Sequence, residues 1–208
     1  VVDVSGSGLF GTTTAFKKDL LIEITATLAF SALQNNDKVG VILFTDQIEL
    51  FIPPKKGKSH ILRIIRELLE FKPKSQKTDL SFALKYLGNV LKKKAIVFVL
   101  SDFISEEYLQ SLRIVGKKHD LTGIRIYDPK EEQIPNLGFV PILDAETGKI
   151  ETVATQSKKV RNAYENYQRE RKEYFEESFR KSGCGQISCR VDESYVKKLL
   201  GYFKQRGR

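Results

Sequence analysis

The stretch VVDVSGSG, residues 1–8, decides the fold class of this 208-residue chain. Its short apolar run ends in Ser and Gly, which is typical of a strand buried in a parallel sheet. After the glycine-rich segment, apolar side chains recur at helical spacing at Phe16, Leu20, Ile24 and Leu28. A buried strand, a tight loop and a helix in this order predict the first unit of an α/β fold.

Strands and helices keep alternating along the rest of the sequence. This order predicts a doubly wound, Rossmann-like α/β fold in which helices flank a mainly parallel sheet. The segment QIELFIPP (47–54) alternates in polarity and stops at two prolines, so we expect an antiparallel edge strand there. Residues 138–153 are expected to form a hairpin. The other predicted strands cover residues 38–45, 95–103, 121–129 and 185–191, and the predicted helices cover residues 14–33, 60–71, 80–93, 105–119, 157–182 and 194–206.

The length suits one domain, because 208 residues can bury one good-sized core. We therefore expect residues 1–208 to form a single domain, with a C-terminal helix–strand–helix over about 157–206. The sequence contains no methionine, so we expect that an N-terminal part of the natural protein precedes it. No apolar run reaches the roughly 18 residues of a membrane span. Cys184 and Cys189 do not form a CxxC motif, and as reduced, buried thiols they favour a cytoplasmic location.

The charge is strongly basic, with 35 Lys and Arg against 26 Asp and Glu and a net charge of +9. Much of the excess lies after residue 150, so nucleic-acid binding through this segment is an alternative function. In the stretch 161–182, however, acidic and basic residues follow one another at helical spacing. This pattern is more typical of a solvated helix face with ion pairs one turn apart.

Polar side chains cluster where predicted strands end. An aspartate and two serines follow the first strand, Ser101-Asp102 follow the strand at 95–100, and Thr78 precedes a helix between them. The carboxyl ends of parallel strands are the usual ligand-binding edge of an open α/β sheet. Hydroxyl and carboxylate oxygens without His or Cys suit Mg²⁺ or Mn²⁺. Each acid alone is equally compatible with a cap or a turn. The candidate metal ligands are Asp3, Ser5, Ser7, Thr78 and Asp102.

This set resembles the metal-ion-dependent adhesion site of von Willebrand factor A domains. The resemblance implies direct metal contacts from Ser5, Ser7 and Thr78, with Asp3 and Asp102 acting through water. It also implies that a Glu or Asp of a partner protein takes the remaining position on the metal. Gly8 stands where many such sites carry Met. The residue at this position is not a metal ligand in that family, so the difference does not affect the ligand set.

The wider sequence is similar to the bacterial subfamily known as domain of unknown function fifty-eight. The similarity rests on DxSGSG, DKVG (37–40), TDL (78–80), LSDF (100–103), HDLTGIRIYDPKE (119–131) and a helix with Arg-x-x-Tyr. It implies a protein-interaction module without enzymatic activity that works with a MoxR-type AAA+ ATPase.

Three further acids lie close to the candidate site in sequence. Asp79 is a plausible N-cap for the helix that starts at residue 80, and Asp128 and Glu131 follow the strand at 121–127 next to a proline. They are assigned to the possible periphery of the site. His60 and His119 are isolated and are expected at the surface or at helix ends.

A metal-dependent phosphohydrolase is a third possibility. Phosphatases with an aspartyl nucleophile need a second acid two residues later and a cation for the phosphate. In this chain Ser5 occupies the place of the second acid, so this chemistry fits poorly.

Overall fold

The computed structural model describes residues 1–6, 14–143 and 150–206. They form a mixed α/β structure around a mostly parallel six-stranded sheet of strand order β3-β2-β1-β4-β5-β8, with a separate antiparallel pair, β6–β7. The alternation read from the sequence is therefore confirmed. The strands are β1 (Val2–Asp3), β2 (Val39–Phe44), β3 (Ile48–Lys55), β4 (Ile96–Ser101), β5 (Asp120–Tyr127), β6 (Phe139–Leu143), β7 (Ile150–Ala154) and β8 (Gly185–Arg190).

Six helices lie within the described residues and cover both faces of the sheet. Neighbouring residues such as Ile42 and Leu43 enter different apolar clusters, because successive side chains of a strand point to opposite faces. One cluster contains residues of α1, α2 and α6, and the other contains residues of α3, α4 and α5. The helices are α1 (Thr14–Gln34), α2 (Lys58–Glu70), α3 (Leu80–Val90), α4 (Leu109–Lys118), α5 (Lys158–Lys181) and α6 (Tyr195–Arg206).

The edge strand and the hairpin were both predicted correctly. β3 pairs antiparallel with β2 and lies at the edge of the sheet. β6 pairs antiparallel with β7, and the predicted turn between them lies in residues 144–149, outside the described residues. No helix within the described ranges is long and apolar enough to cross a membrane.

The start predicted for the helix at 105–119 was wrong. The helix expected at 105–119 begins only at Leu109, and Ser105 is buried before it. The Ser105 hydroxyl instead accepts a hydrogen bond from the backbone N–H of Leu80, at 3.2 Å, and so serves the first turn of α3. His119 ends α4, which confirms the expected helix-end position, and its side chain is buried there.

Charged residues of α5 pair with one another along the helix, as the sequence pattern predicts. Arg169 lies 3.8 Å from Glu173 and Lys181 lies 2.8 Å from Glu177, each pair one turn apart. The opposite face of α5 inserts Phe175 into the core, where the centroid of its ring lies 4.5 Å from the ring centroid of Phe103. This contact matters for the site, because Phe103 directly follows Asp102.

We expect Gly123→Ala to lower the free energy of unfolding by about 1–3 kcal/mol, because an added methyl group would collide with the ring of Phe179. Gly88→Ala, in the last turn of α3, is the matched control. There the nearest atom of Val115 lies 3.7 Å from the added carbon, and helix propensity favours Ala by about 0.5–1 kcal/mol. Urea denaturation of the two variants checks this pair, and equal stability would contradict it.

Candidate functional site

Asp3 ends the central strand β1 and is buried between β2 and β4. Its Oδ1 accepts the backbone N–H of Ser5 at 3.0 Å. Its Oδ2 accepts the hydroxyl of Ser101 at 2.6 Å, across from the end of β4. Both carboxylate oxygens are thus held by donors from neighbouring strand ends, which fixes the direction of the side chain.

The hydroxyls of Ser5 and Thr78 lie together, as predicted. Thr78 Oγ1 donates to Ser5 Oγ at 2.7 Å. The backbone supports this approach, because the N–H of Gly6 donates to the carbonyl of Gln76 at 3.0 Å. An added Cβ on Gly6 would collide with the Gln76 side chain, so glycine permits the close approach. The remaining predicted ligand, Ser7, lies outside the described residues.

Asp102 follows β4 in a tight reversal of the chain. Its Oδ1 accepts the N–H of Ile104 at 3.0 Å, and Phe103 adopts a left-handed backbone with φ of 61°. This conformation is costly for a residue with a side chain, and the burial of the Phe103 ring against α5 maintains it. Asp102 Oδ2 is buried and has no hydrogen-bond partner among the described residues.

A lysine that the sequence analysis missed reaches this carboxylate. Lys17 Nζ lies 3.6 Å from Asp102 Oδ2 and 2.8 and 3.0 Å from the two carboxylate oxygens of Glu131. Its side chain is only 5% exposed. One signal in the sequence points to it, since Lys17 precedes Leu20 by three and Ile24 by seven residues and therefore lies on the buried face of α1.

The acids assigned to the periphery have separate roles. Asp79 accepts the N–H of Phe82 at 2.8 Å and caps α3, and Asp128 accepts the N–H of Lys130 at 2.9 Å at the start of a short 3₁₀ turn. The capping role predicted for Asp79 is confirmed, and Asp128 lies in a turn next to Pro129. Glu131 is the acid that contacts the site, through Lys17, and its backbone carbonyl accepts the Tyr164 hydroxyl of α5 at 2.7 Å.

The acidic groups influence one another electrostatically. Burial raises the pKa of Asp3 to about 6, with a further rise from the nearby charge of Asp102. Burial likewise raises the pKa of Glu131, although Lys17 opposes this. For Lys17, burial lowers the pKa, but the carboxylates of Asp102 and Glu131 outweigh it and hold the pKa above its usual value.

These residues fit a divalent cation that prefers oxygen. Within the described ranges no group of three or more His, Cys, Asp and Glu side chains could hold a metal ion. The candidate set has a different composition, with two carboxylates and the paired hydroxyls of Ser5 and Thr78. The repulsion between Asp3 and Asp102, together with the buried oxygen of Asp102, is what a bound cation would relieve.

Comparison with known proteins identifies the family of the chain. The family model described as "Protein of unknown function DUF58" matches residues 1–174. The chain belongs to the DUF58 family. Two curated relatives are the uncharacterised proteins Rv1480 of Mycobacterium tuberculosis and Mb1516 of Mycobacterium bovis, each 22% identical over 211 residues. The match covers 100% of this chain and 66% of each relative, so this DUF58 chain spans a little less than two thirds of their length.

Solved structures show the same fold. The conserved hypothetical protein BatB from Bacteroides thetaiotaomicron has a TM-score of 0.61 and 14% identity, covering 99% of this chain and 95% of its own. An aerotolerance-related membrane protein from Bacteroides fragilis has a TM-score of 0.62 and 17% identity, with coverages of 98% and 96%. At these identities the likeness concerns the fold alone.

The raised pKa of Asp3 predicts a pH-dependent stability. A carboxyl with a pKa of about 6 in the folded protein and about 4 in the unfolded chain binds protons more readily when folded. Its contribution to the free energy of unfolding is therefore present below pH 4 and is lost as the pH rises through 6.

In EDTA, we expect the free energy of unfolding of Asp3→Asn to rise by about 1–3 kcal/mol relative to that of the wild type between pH 4 and pH 7.

Denaturant titrations at several pH values measure this difference. Asp37→Asn, at an exposed position after α1, is the control for replacing an aspartate by an asparagine. A constant difference for Asp3→Asn would show that its carboxylate is not destabilised by its surroundings.

Proposed function

We propose that this DUF58 chain is a metal-dependent protein-interaction module without enzymatic activity. It captures an acidic side chain of a partner protein through bound Mg²⁺ or Mn²⁺. The observation that carries the proposal is the meeting of Asp3, Ser5, Thr78 and Asp102 where β1 and β4 end and α3 begins. Four predicted ligands, from three separate parts of the sequence, lie at one edge of the sheet.

We assign the fold to the von Willebrand factor A-like, Rossmann-like type. A central parallel strand that ends in the site, flanked by helices on both faces, supports this assignment. By the resemblance to that family, Ser5, Ser7 and Thr78 would hold the metal directly, and Asp3 and Asp102 would act through water. The hydrogen bond from Ser101 orients Asp3, which would act on the metal through water.

The choice of a carboxylate as ligand follows from the charges. Neutral hydroxyls leave most of the charge of a divalent ion uncompensated, so an anionic oxygen from a partner adds a favourable interaction. The metal supplies a coordination bond to that oxygen. Hydrogen bonds from the backbone hold the carboxylates of Asp3 and Asp102 in place. This fixed arrangement would set the direction from which the partner's oxygen approaches the metal.

From the resemblance to the family, we propose a MoxR-type AAA+ ATPase as the partner. The two free cysteines, one buried and one half-buried, support a reducing, cytoplasmic compartment.

Metal binding can be measured without knowing the partner. At a Mg²⁺ concentration about 100 times the dissociation constant, we expect binding to stabilise the wild type by about 2.7 kcal/mol and so to raise its melting temperature by several degrees. Ser5→Ala and Thr78→Ala should lose this increase because each removes a ligand oxygen. Ser31→Ala, at an exposed position on α1, should keep it. An undiminished increase in Ser5→Ala would contradict the assignment of the ligands.

Partner capture is tested by a pull-down with the same variants. Wild-type protein should retain a MoxR-type ATPase in Mg²⁺ and release it in EDTA, and Asp3→Ala/Ser5→Ala should retain none under either condition. Retention by the double variant in EDTA would exclude a metal-bridged contact.

One observation favours phosphohydrolysis as a second candidate function. Lys17 places a cation beside Asp102, where a phosphate-binding group would be needed. Against it, both oxygens of Asp3 already accept hydrogen bonds, and Ser5 stands where a second acid is required. Turnover of 4-nitrophenyl phosphate with Mg²⁺, abolished by Asp3→Asn, would establish this activity.

A further inference from the structure

Lys17 lies between two acids that come from different parts of the chain. Asp102 follows β4, Glu131 lies in the 3₁₀ turn after β5, and Lys17 reaches both from α1. The side chains of Lys17 and Asp102 are 5% and 6% exposed, so water screens their interaction weakly. An ammonium held this close to a metal ligand must affect how the site binds a cation.

The two contacts of Lys17 differ in kind. Both oxygens of Glu131 lie within hydrogen-bond distance, at 2.8 and 3.0 Å. Asp102 Oδ2 lies 3.6 Å away, too far for a hydrogen bond. Glu131 therefore determines the position of the ammonium and keeps it from bonding directly to Asp102. Glu131 is itself held in place, because Tyr164 of α5 donates to its backbone carbonyl.

The formal charges show the consequence. Asp3, Asp102 and Glu131 surround the site with negative charge without being assigned as direct metal ligands, and the single positive charge of Lys17 cancels part of it. Without Lys17 the site would be more negative and would bind the ion more tightly. Without Glu131 the ammonium would be free to pair with Asp102 and compete with the ion.

We propose that Lys17 and Glu131 set the metal affinity of the site, with Lys17 weakening it and Glu131 acting as a positioning residue that limits this effect. The proposal rests on the metal site put forward as the proposed function. It explains why a lysine is buried next to a carboxylate that has no other side-chain partner among the described residues.

The test is a Mn²⁺ titration of wild type and variants, in which electron paramagnetic resonance counts free Mn²⁺ and circular dichroism checks the fold. A unit charge a few ångströms from a divalent ion changes its binding by about tenfold or more. We therefore expect Lys17→Met to bind Mn²⁺ at least about tenfold more tightly than wild type. Glu131→Gln should bind it about fivefold or more weakly.

Two further variants separate this effect from damage to the structure. Lys17→Met/Glu131→Gln removes one charge of each sign, so its Mn²⁺ affinity should return to within a few-fold of wild type. Lys172→Met, at an exposed position of α5, controls for the change in total charge and should leave the affinity unchanged. Misfolding would lower the affinity in every variant, whereas the proposal requires changes of opposite sign that cancel.

The outcomes distinguish the two proposals. If wild type binds Mn²⁺ and loses it in Ser5→Ala, but folded Lys17→Met binds no more tightly than wild type, the role of Lys17 is refuted and the metal site stands. If neither wild type nor any folded variant binds Mn²⁺, both proposals fail. Tight binding that appears only in Lys17→Met supports the role of Lys17.

Discussion

The hydrogen bond between Asp3 and Ser101 is the contact on which the arrangement of the site depends. A buried carboxylate is unfavourable unless donors satisfy it, and here the donors come from the loop after β1 and from the end of β4. The bond therefore links the carboxyl ends of the neighbouring strands β1 and β4. The same hydroxyl of Ser101 accepts the N–H of Phe103, so the reversal that carries Asp102 is fixed to the same point.

Helix α5 supports the site although it lies far away in sequence. Phe175 and Phe179 pack against Phe103 after β4, and Arg171 donates to the carbonyl of Ser105 at 2.6 Å. Tyr164 holds the turn that carries Glu131. Each contact fixes a loop at the carboxyl ends of β4 or β5, because α5 runs along these loops. In this chain the helix predicted as a charged, solvated element is thus also the support for the candidate site.

Much of the fold and part of the site could be predicted from the sequence. The apolar runs gave the sheet strands, and the prolines after Phe51 marked the antiparallel edge, because these signals are local. The meeting of Asp3, Thr78 and Asp102 followed from the rule that parallel strands end at one edge. The start of α4 could not be predicted, because Ser105 is an ordinary capping residue in sequence and only tertiary contact directs its hydroxyl to Leu80. The burial of His119 likewise depends on packing around the end of α4, and isolated polarity gave no sign of it.

Lys17 was missed for a related physical reason. A lysine in an amphipathic helix is normally solvated, since burying an ammonium without partners is costly. Its two partners lie far along the chain, after β4 and β5, and only the sheet order β1-β4-β5 brings their ends next to the first turns of α1. A buried lysine is therefore tolerated only where the fold also delivers carboxylates. Because the burial of Lys17 depends on the carboxylates of Asp102 and Glu131, any cation that binds near those carboxylates must also interact with the ammonium of Lys17.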